Sequence, residues 1–245
     1  IVNFHIKNGR YIYWEKANNS ISQKDLINFL ITSAINIAAI QKGKLLLNAS
    51  TLFKGEKVIS LIGQPNSGKN TISLILQNCG WRLIANEVTN ISDTQFISIG
   101  NRNIRLWLDT QKVFNIPRKN LENVRSNIKR YYLKNKKNEL SISNYKLKKV
   151  YFIGGRSVAD MDHLKNNSLP EEKNKINLTR LNSEQIIMLK LRNNIFNPRC
   201  YRGLNKEEKI IDSLFNQITN LDFFNLTFPD NIPLTNYLIR RSKIF

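Results

Sequence analysis

VISLIGQPNSGKNT, residues 58–71, decides how the chain is read. A short apolar run, Val58-Ile59-Ser60-Leu61-Ile62, stops at Gly63. A polar, glycine-bearing turn follows from Gln64 to Gly68, then Lys69, and then the helix-like stretch Thr71 to Leu76. Strand, loop and helix in that order are the setting of a phosphate-binding P-loop. The spacing from Gly63 to Gly68-Lys69 fits G-x-x-x-x-G-K, which marks Gly63, Asn66, Ser67, Gly68, Lys69, Asn70 and Thr71 as the phosphate-binding set. Asn70 stands where the pattern has Ser or Thr, so the hydroxyl that holds Mg²⁺ in that pattern is missing.

Upstream of this stretch, Leu45 to Ala49 reads as a buried strand and Gly55 as the turn into Val58. Before it, Leu26, Leu30, Ala34, Ile37 and Ile40 recur at helical spacing, predicting a helix over residues 24–41 with Ser22 as its N-cap and Gly43 as its stop. Residues 1–14 predict a β-hairpin around a type I′ Asn8-Gly9 turn. Downstream, the P-loop helix ends near Cys79-Gly80. Short extended pieces follow at 81–85, 88–91, 96–99 and 104–108.

Helical signal then returns only after Pro117. Residues 112–149 hold twelve Lys and Arg against two Glu, with sparse apolar positions at Leu121, Val124, Ile128 and Tyr131-Tyr132; they predict a basic surface helix and loop. Val150 to Ile153 is a buried strand ended by Gly154-Gly155, and residues 160–175 are a polar loop. Ser183 caps a helix through Leu191 with Ile187 and Met188 inward. A further helix is expected at 206–219, a strand at 221–228, and a last short helix ending in Arg240-Arg241. The chain reads as one α/β domain: hairpin, helix and strand in 1–50, P-loop core in 51–110, a basic helix/loop insertion in 111–149, and strand and helices in 150–245.

A hydrophobic content of 41% over 245 residues suffices for a globular core, and no apolar run reaches the ~18 residues of a membrane span. The first residues lack the charged-then-apolar pattern of a signal segment. Cys79 and Cys200 lie far apart without ligand partners, and fit reduced core thiols. A cytoplasmic location is expected. The net charge is +20, from 38 Lys and Arg against 18 Asp and Glu. Such a charge can serve an acidic partner, nucleic acid or anionic lipid. It can equally come from adenine- and thymine-rich codons, which raise Lys, Asn and Ile together.

Three segments carry a resemblance. Leu47-Asn48-Ala49-Ser50, the loop Gly63 to Thr71, and Gly80-Trp81-Arg82-Leu83-Ile84-Ala85-Asn86-Glu87 occur in the order of the HPr kinase-like group, and GNRNIRLWLD from Gly100 to Asp109 fits a fourth segment. The chain resembles these P-loop serine kinases, whose fold is related to phosphoenolpyruvate carboxykinase, and especially the stand-alone kind found beside peptide biosynthesis clusters. The likeness is closest over 1–110 and vague beyond 150. It implies mixed β-sheets with flanking helices, ATP or another nucleoside triphosphate, Mg²⁺, and a peptide or protein substrate with a serine or similar hydroxyl.

The departures fall on the chemistry. Asn48 stands at the family's histidine, Asn70 at the P-loop hydroxyl, and Asn86-Glu87 at the paired aspartates. In this resemblance Glu87, Lys69, Asn86 and Asn48 occupy the catalytic positions, and Asn70 and Glu87 the metal positions. Lys69 would bind the β/γ-phosphates. Thr71 sits ~100° further round the helix than residue 70 and is not a substitute for the missing hydroxyl. An amide is no general base at neutral pH, so Glu87 is the one acid left for proton transfer, or else a salt-bridge partner of a neighbouring Arg. Phosphoryl transfer rests mostly on positioning and electrostatics, so losing a base need not abolish it.

Three functions therefore stand side by side: an ATP-dependent kinase of a peptide or protein hydroxyl, a pseudokinase that scaffolds and still holds nucleotide, and a basic protein binding nucleic acid or an acidic peptide through 112–149. Few aromatics for base stacking lie in that stretch (Tyr131, Tyr132, Tyr145), which weighs against nucleic acid. The oligomeric state stays open, a homo-oligomer included. His5 and His163 read as surface or structural, and Arg156 as a loop residue with a phosphate-binding alternative.

Overall fold

In the computed structural model of the chain, residues 2–18, 21–125, 128–133, 140, 145–154, 177–218 and 221–227 are described. The expected loop at 160–175, the last helix ending in Arg240-Arg241, Arg156 and His163 lie outside them.

The hairpin forms as its turn demands, with β1 (Val2–Lys7) and β2 (Tyr11–Lys16) antiparallel about Asn8 and Gly9 at φ 57° and 64°. A helix follows in three parts: α1 (Gln23–Phe29), a π turn (Leu30–Ala34) and α2 (Ile35–Gln41). Ser22 caps it by accepting from the Asp25 N–H at 3.1 Å, while its hydroxyl donates to the Asp25 carboxylate at 2.8 Å. In the π turn the Ile35 N–H reaches Leu30 O, five residues back. The hairpin is pinned to this helix, since Gly9 N–H donates to Gln41 Oε1 at 2.6 Å and Gln41 Nε2 donates to Ile6 O at 2.8 Å. A side chain at Gly9 would meet Ala38 O at 2.5 Å, so the turn needs glycine for space as well as for its left-handed φ.

A mixed sheet of seven strands holds the centre. Its members are β3 (Leu46–Lys54), β4 (Lys57–Ile62), β5 (Arg82–Ala85), β6 (Val88–Asn90), β12 (Lys149–Ile153), β13 (Asn177–Leu181) and β14 (Asp222–Thr227). The order is β13-β14-β12-β4-β3-β5, with β6 also on β3. The β14, β12 and β4 strands run parallel and the others pair antiparallel. Strands buried on both faces read as continuous apolar runs, which is why Val58–Ile62 and Val150–Ile153 show no alternation.

One face packs α3 (Lys69–Asn78) and a small sheet of β8 (Ile104–Trp107), β9 (Leu121–Arg125) and β10 (Ile128–Leu133) over Leu52, Ile59, Leu61 and Tyr151. The other packs α2 with α5 (Glu184–Asn193), α6 (Pro198–Gly203) and α7 (Glu207–Ile218) over Leu47, Ala49, Val150 and Phe152. A short pair, β7 (Phe96–Ile97) and β11 (Tyr145–Lys146), completes the strands. The chain is thus a mixed α/β protein.

Two expectations are corrected. Leu121–Arg125 and Ile128–Leu133 are strands instead of a surface helix, and the short helix α4 (Leu108–Val113) precedes Pro117. Leu121 and Val124, three residues apart on β9, are both buried, a spacing that reads as helical, and the β9–β10 pairing shifts register between Ile128 and Tyr131. Cys79 and Cys200 are free thiols, each partly buried and packed against a hydrophobic core cluster. His5 lies exposed on the hairpin beside Tyr13, the ring centroids 6.1 Å apart.

Candidate functional site

Between β4 and α3 the chain makes one tight loop. Gly63 N–H donates to Asn48 O at 3.1 Å, and Ser67 N–H to Gln64 O at 3.1 Å. A Cβ on Gly63 would stand 2.6 Å from Ser67 Oγ and 3.1 Å from Ile153 O, so only glycine lets the loop close beside β12. Asn66 and Gly68 take left-handed φ values of 68° and 94°, and α3 starts at Lys69. The first N–H groups of any helix lack intrahelical acceptors, and here they head a ten-residue helix.

Lys69 is only 7% exposed. Its ammonium donates to Gly63 O at 2.6 Å and Gln64 O at 2.8 Å. Burial lowers its pKa to about 8, against the opposing pull of Glu87.

The β5–β6 junction places the acid. Both strands lie on β3, and the register shifts between Thr51 and Leu52. Glu87 sits beyond that shift, between the two strands, at φ 68°, its carbonyl accepting from the Ala49 N–H at 3.1 Å. Its left-handed backbone turns neighbouring side chains apart. Asn86 is 1% exposed, accepts from Ser50 Oγ at 2.5 Å and donates to Asn103 O at 2.8 Å. Glu87 instead meets Arg105 Nη2 at 2.8 Å. Burial pushes its carboxyl above the ordinary carboxylate range, although Arg105, Arg130 and Lys69 all pull it down.

The small sheet supplies the cations. In the β8–β10 register Arg105 faces Tyr132 and Trp107 faces Arg130. Each guanidinium is laid on a cross-strand aromatic, Arg105 at 5.6 Å from the Tyr132 centroid and Arg130 at 4.6 Å from that of Trp107. The Nε atoms of both arginines are buried without a hydrogen-bond partner among the described residues.

These parts meet at a cavity of about 410 Å³. Asn66, Gly68, Lys69, Asn70 and Thr71 line it on the loop side, Asn48 and Glu87 on the β3–β6 side, and Arg105 and Arg130 across from them. Thr32 and Ser33, in the π turn, also reach it. Of the expected site residues, Asn86 is not among those lining it, because its amide is locked between Ser50 and Asn103. Gly63 and Ser67 shape the loop without lining the cavity. Asn48 is half-buried, its amide donating to Ile195 O at 3.4 Å.

The sequence reading did not mark Arg105 or Arg130. A two-residue reading of Ile104–Trp107 and of Lys129–Tyr132 would have put Arg105 with Trp107, and Arg130 with Tyr132, on the faces opposite the buried Ile104, Leu106 and Tyr131.

The donors offered to a magnesium ion are few. Asn70 donates its amide to Arg105 O at 3.0 Å, which leaves its oxygen as a neutral acceptor. Glu87 is the one carboxylate among the lining residues, and it is already paired with Arg105. Among the described residues no three His, Cys, Asp or Glu cluster as a metal site. One paired acid amid Lys69, Arg105 and Arg130 does not fit a resident divalent cation, which prefers one or two free carboxylates beside substrate phosphates.

No protein-family model matches the chain, and no curated protein matches it.

Proposed function

We propose that the chain is an HPr kinase-like P-loop protein, of the fold related to phosphoenolpyruvate carboxykinase, that binds the polyphosphate of ATP or another nucleoside triphosphate in this cavity. The observation that carries the reading is the meeting of Lys69, at the head of α3, with Arg105 and Arg130 on one cavity. Those three cations face one carboxylate, so the cavity is positive whether Glu87 is protonated or not. Half-buried positive charge with unmet donors suits an anion rich in oxygen. In the absence of phosphate the ammonium of Lys69 rests on Gly63 O and Gln64 O, two acceptors that a phosphate would replace.

Transfer to a peptide or protein hydroxyl is the reaction we assign to this site, on the strength of Glu87. A buried carboxylate with a raised pKa is a better base than an ordinary surface acid, and it lines the cavity that Lys69 lines. Asn48 and Asn70 can only orient groups. Calorimetric titration with ATP tests binding, which Lys69→Ala is expected to weaken by at least about ten-fold, the scale of one charge-assisted contact. Incubation with labelled ATP and serine-containing peptides tests transfer. Phosphopeptide that disappears in Glu87→Gln supports it, whereas tight ATP binding without turnover leaves a nucleotide-holding scaffold.

A further inference from the structure

We infer that Arg105 and Arg130 take the place of a divalent cation, so that the site receives the nucleotide's phosphates without metal. The inference rests on the nucleotide reading above and deepens it.

Four observations converge. Residue 70, where a P-loop hydroxyl would hold the ion, is an asparagine whose amide fixes the Arg105 carbonyl at 3.0 Å. The residue that lacks the hydroxyl thus anchors the strand that brings in the guanidinium. Glu87, the lining carboxylate, is ion-paired with Arg105 at 2.8 Å and is not left open for a metal. Two guanidinium groups line the cavity, and each is held against an aromatic plane by the β8–β10 register. Their buried Nε donors have no acceptor among the described residues.

Guanidinium stays charged at any physiological pH and matches phosphate oxygens in pairs, which is the neutralising role a metal performs. Two such groups sharing one carboxylate leave positive charge uncompensated. An incoming divalent cation would add to that excess, while a phosphate relieves it. Bracing on Tyr132 and Trp107 holds the planar forks before the ligand arrives, so little side-chain freedom is lost on binding.

The experiment is calorimetric titration of the full chain with ATP, once in EDTA and once in excess Mg²⁺. The Kd is expected to agree between the two within about three-fold, less than the weight of one lost contact. Arg130→Gln and Arg105→Gln are expected to weaken binding in EDTA by about ten-fold or more each, as removal of a charge-assisted contact does. Because Arg105→Gln leaves Glu87 without its partner, the double variant Arg105→Gln/Glu87→Gln and a melting curve for each protein separate folding from binding. Binding that tightens ten-fold or more with Mg²⁺, or folded arginine variants that bind like the parent, would overturn the inference and leave the nucleotide reading intact. Absence of ATP binding under both conditions would overturn both.

Discussion

An ammonium group lowered to about 8 makes Lys69 a titrating ligand in the range where most assays are run. Phosphate binding needs the charged form, and bound phosphate in turn favours it. Affinity for ATP is therefore expected to be full below about pH 8 and to fall as the pH rises above it, with proton uptake on binding near that value. Glu87, facing the same space, acts in the same direction because its ionised form repels phosphate. A guanidinium in general stays charged over this range. Calorimetry in two buffers of different ionisation enthalpy reads the proton directly, and Lys69→Arg should flatten the profile from about pH 7 to about pH 9. Lys69 and Gly63 were legible in the sequence because the loop's chemistry is local. Asn86 was not, because the direction of its side chain follows from the left-handed backbone of Glu87 next to it.

At the scale of elements, legibility followed length and caps. The hairpin, the helix capped by Ser22 and the helix capped by Ser183 each carry a turn or capping residue plus several periods of pattern. The β8–β10–β9 sheet carries a register shift instead, and α6 is only six residues long behind an Asn197 at φ 47°. Neither signal survives a window reading, because a shifted pairing and a six-residue helix each leave no repeat long enough to count. Yet α6 ties the sheet edge to the helical face. The Tyr201 hydroxyl, 2% exposed, accepts from the Leu46 N–H at 3.0 Å and donates to Lys44 O at 2.9 Å. Tyr201→Phe leaves the buried Leu46 N–H unmet and is expected to cost about 1–3 kcal/mol. A urea unfolding series should show the midpoint fall with the slope unchanged.

For the whole molecule, the net charge of +20 and the cavity's cations are different quantities. Most of the described Lys and Arg are exposed, where salt screens them, while Lys69 is buried and Arg105 half-buried. Binding of a single-stranded oligonucleotide, followed by fluorescence anisotropy, is expected to fall by more than about ten-fold between roughly 50 and 200 mM salt. ATP binding should fall less over the same range. An oligonucleotide signal that resists salt, or that ATP displaces, would place nucleic acid in the cavity itself. Among the described residues no helix is long and apolar enough to cross a membrane.

The widened turn at Leu30–Ala34 gives the first helix one residue that its phase does not need. A π turn carries one residue more than an α turn. Ahead of it, Tyr132 donates to Asn28 and Lys24 meets Glu122 at 2.8 Å; behind it, Gln41 holds the hairpin. Deleting one residue there would let α1 and α2 fuse into a regular helix with the two halves close to their present phase, because the wide turn is what absorbs the extra residue. The strand contacts and the hairpin contacts could then both be kept, while Thr32 or Ser33 would lose its place on the cavity. A single-codon deletion in this turn is therefore expected to spare the fold and to act on the site.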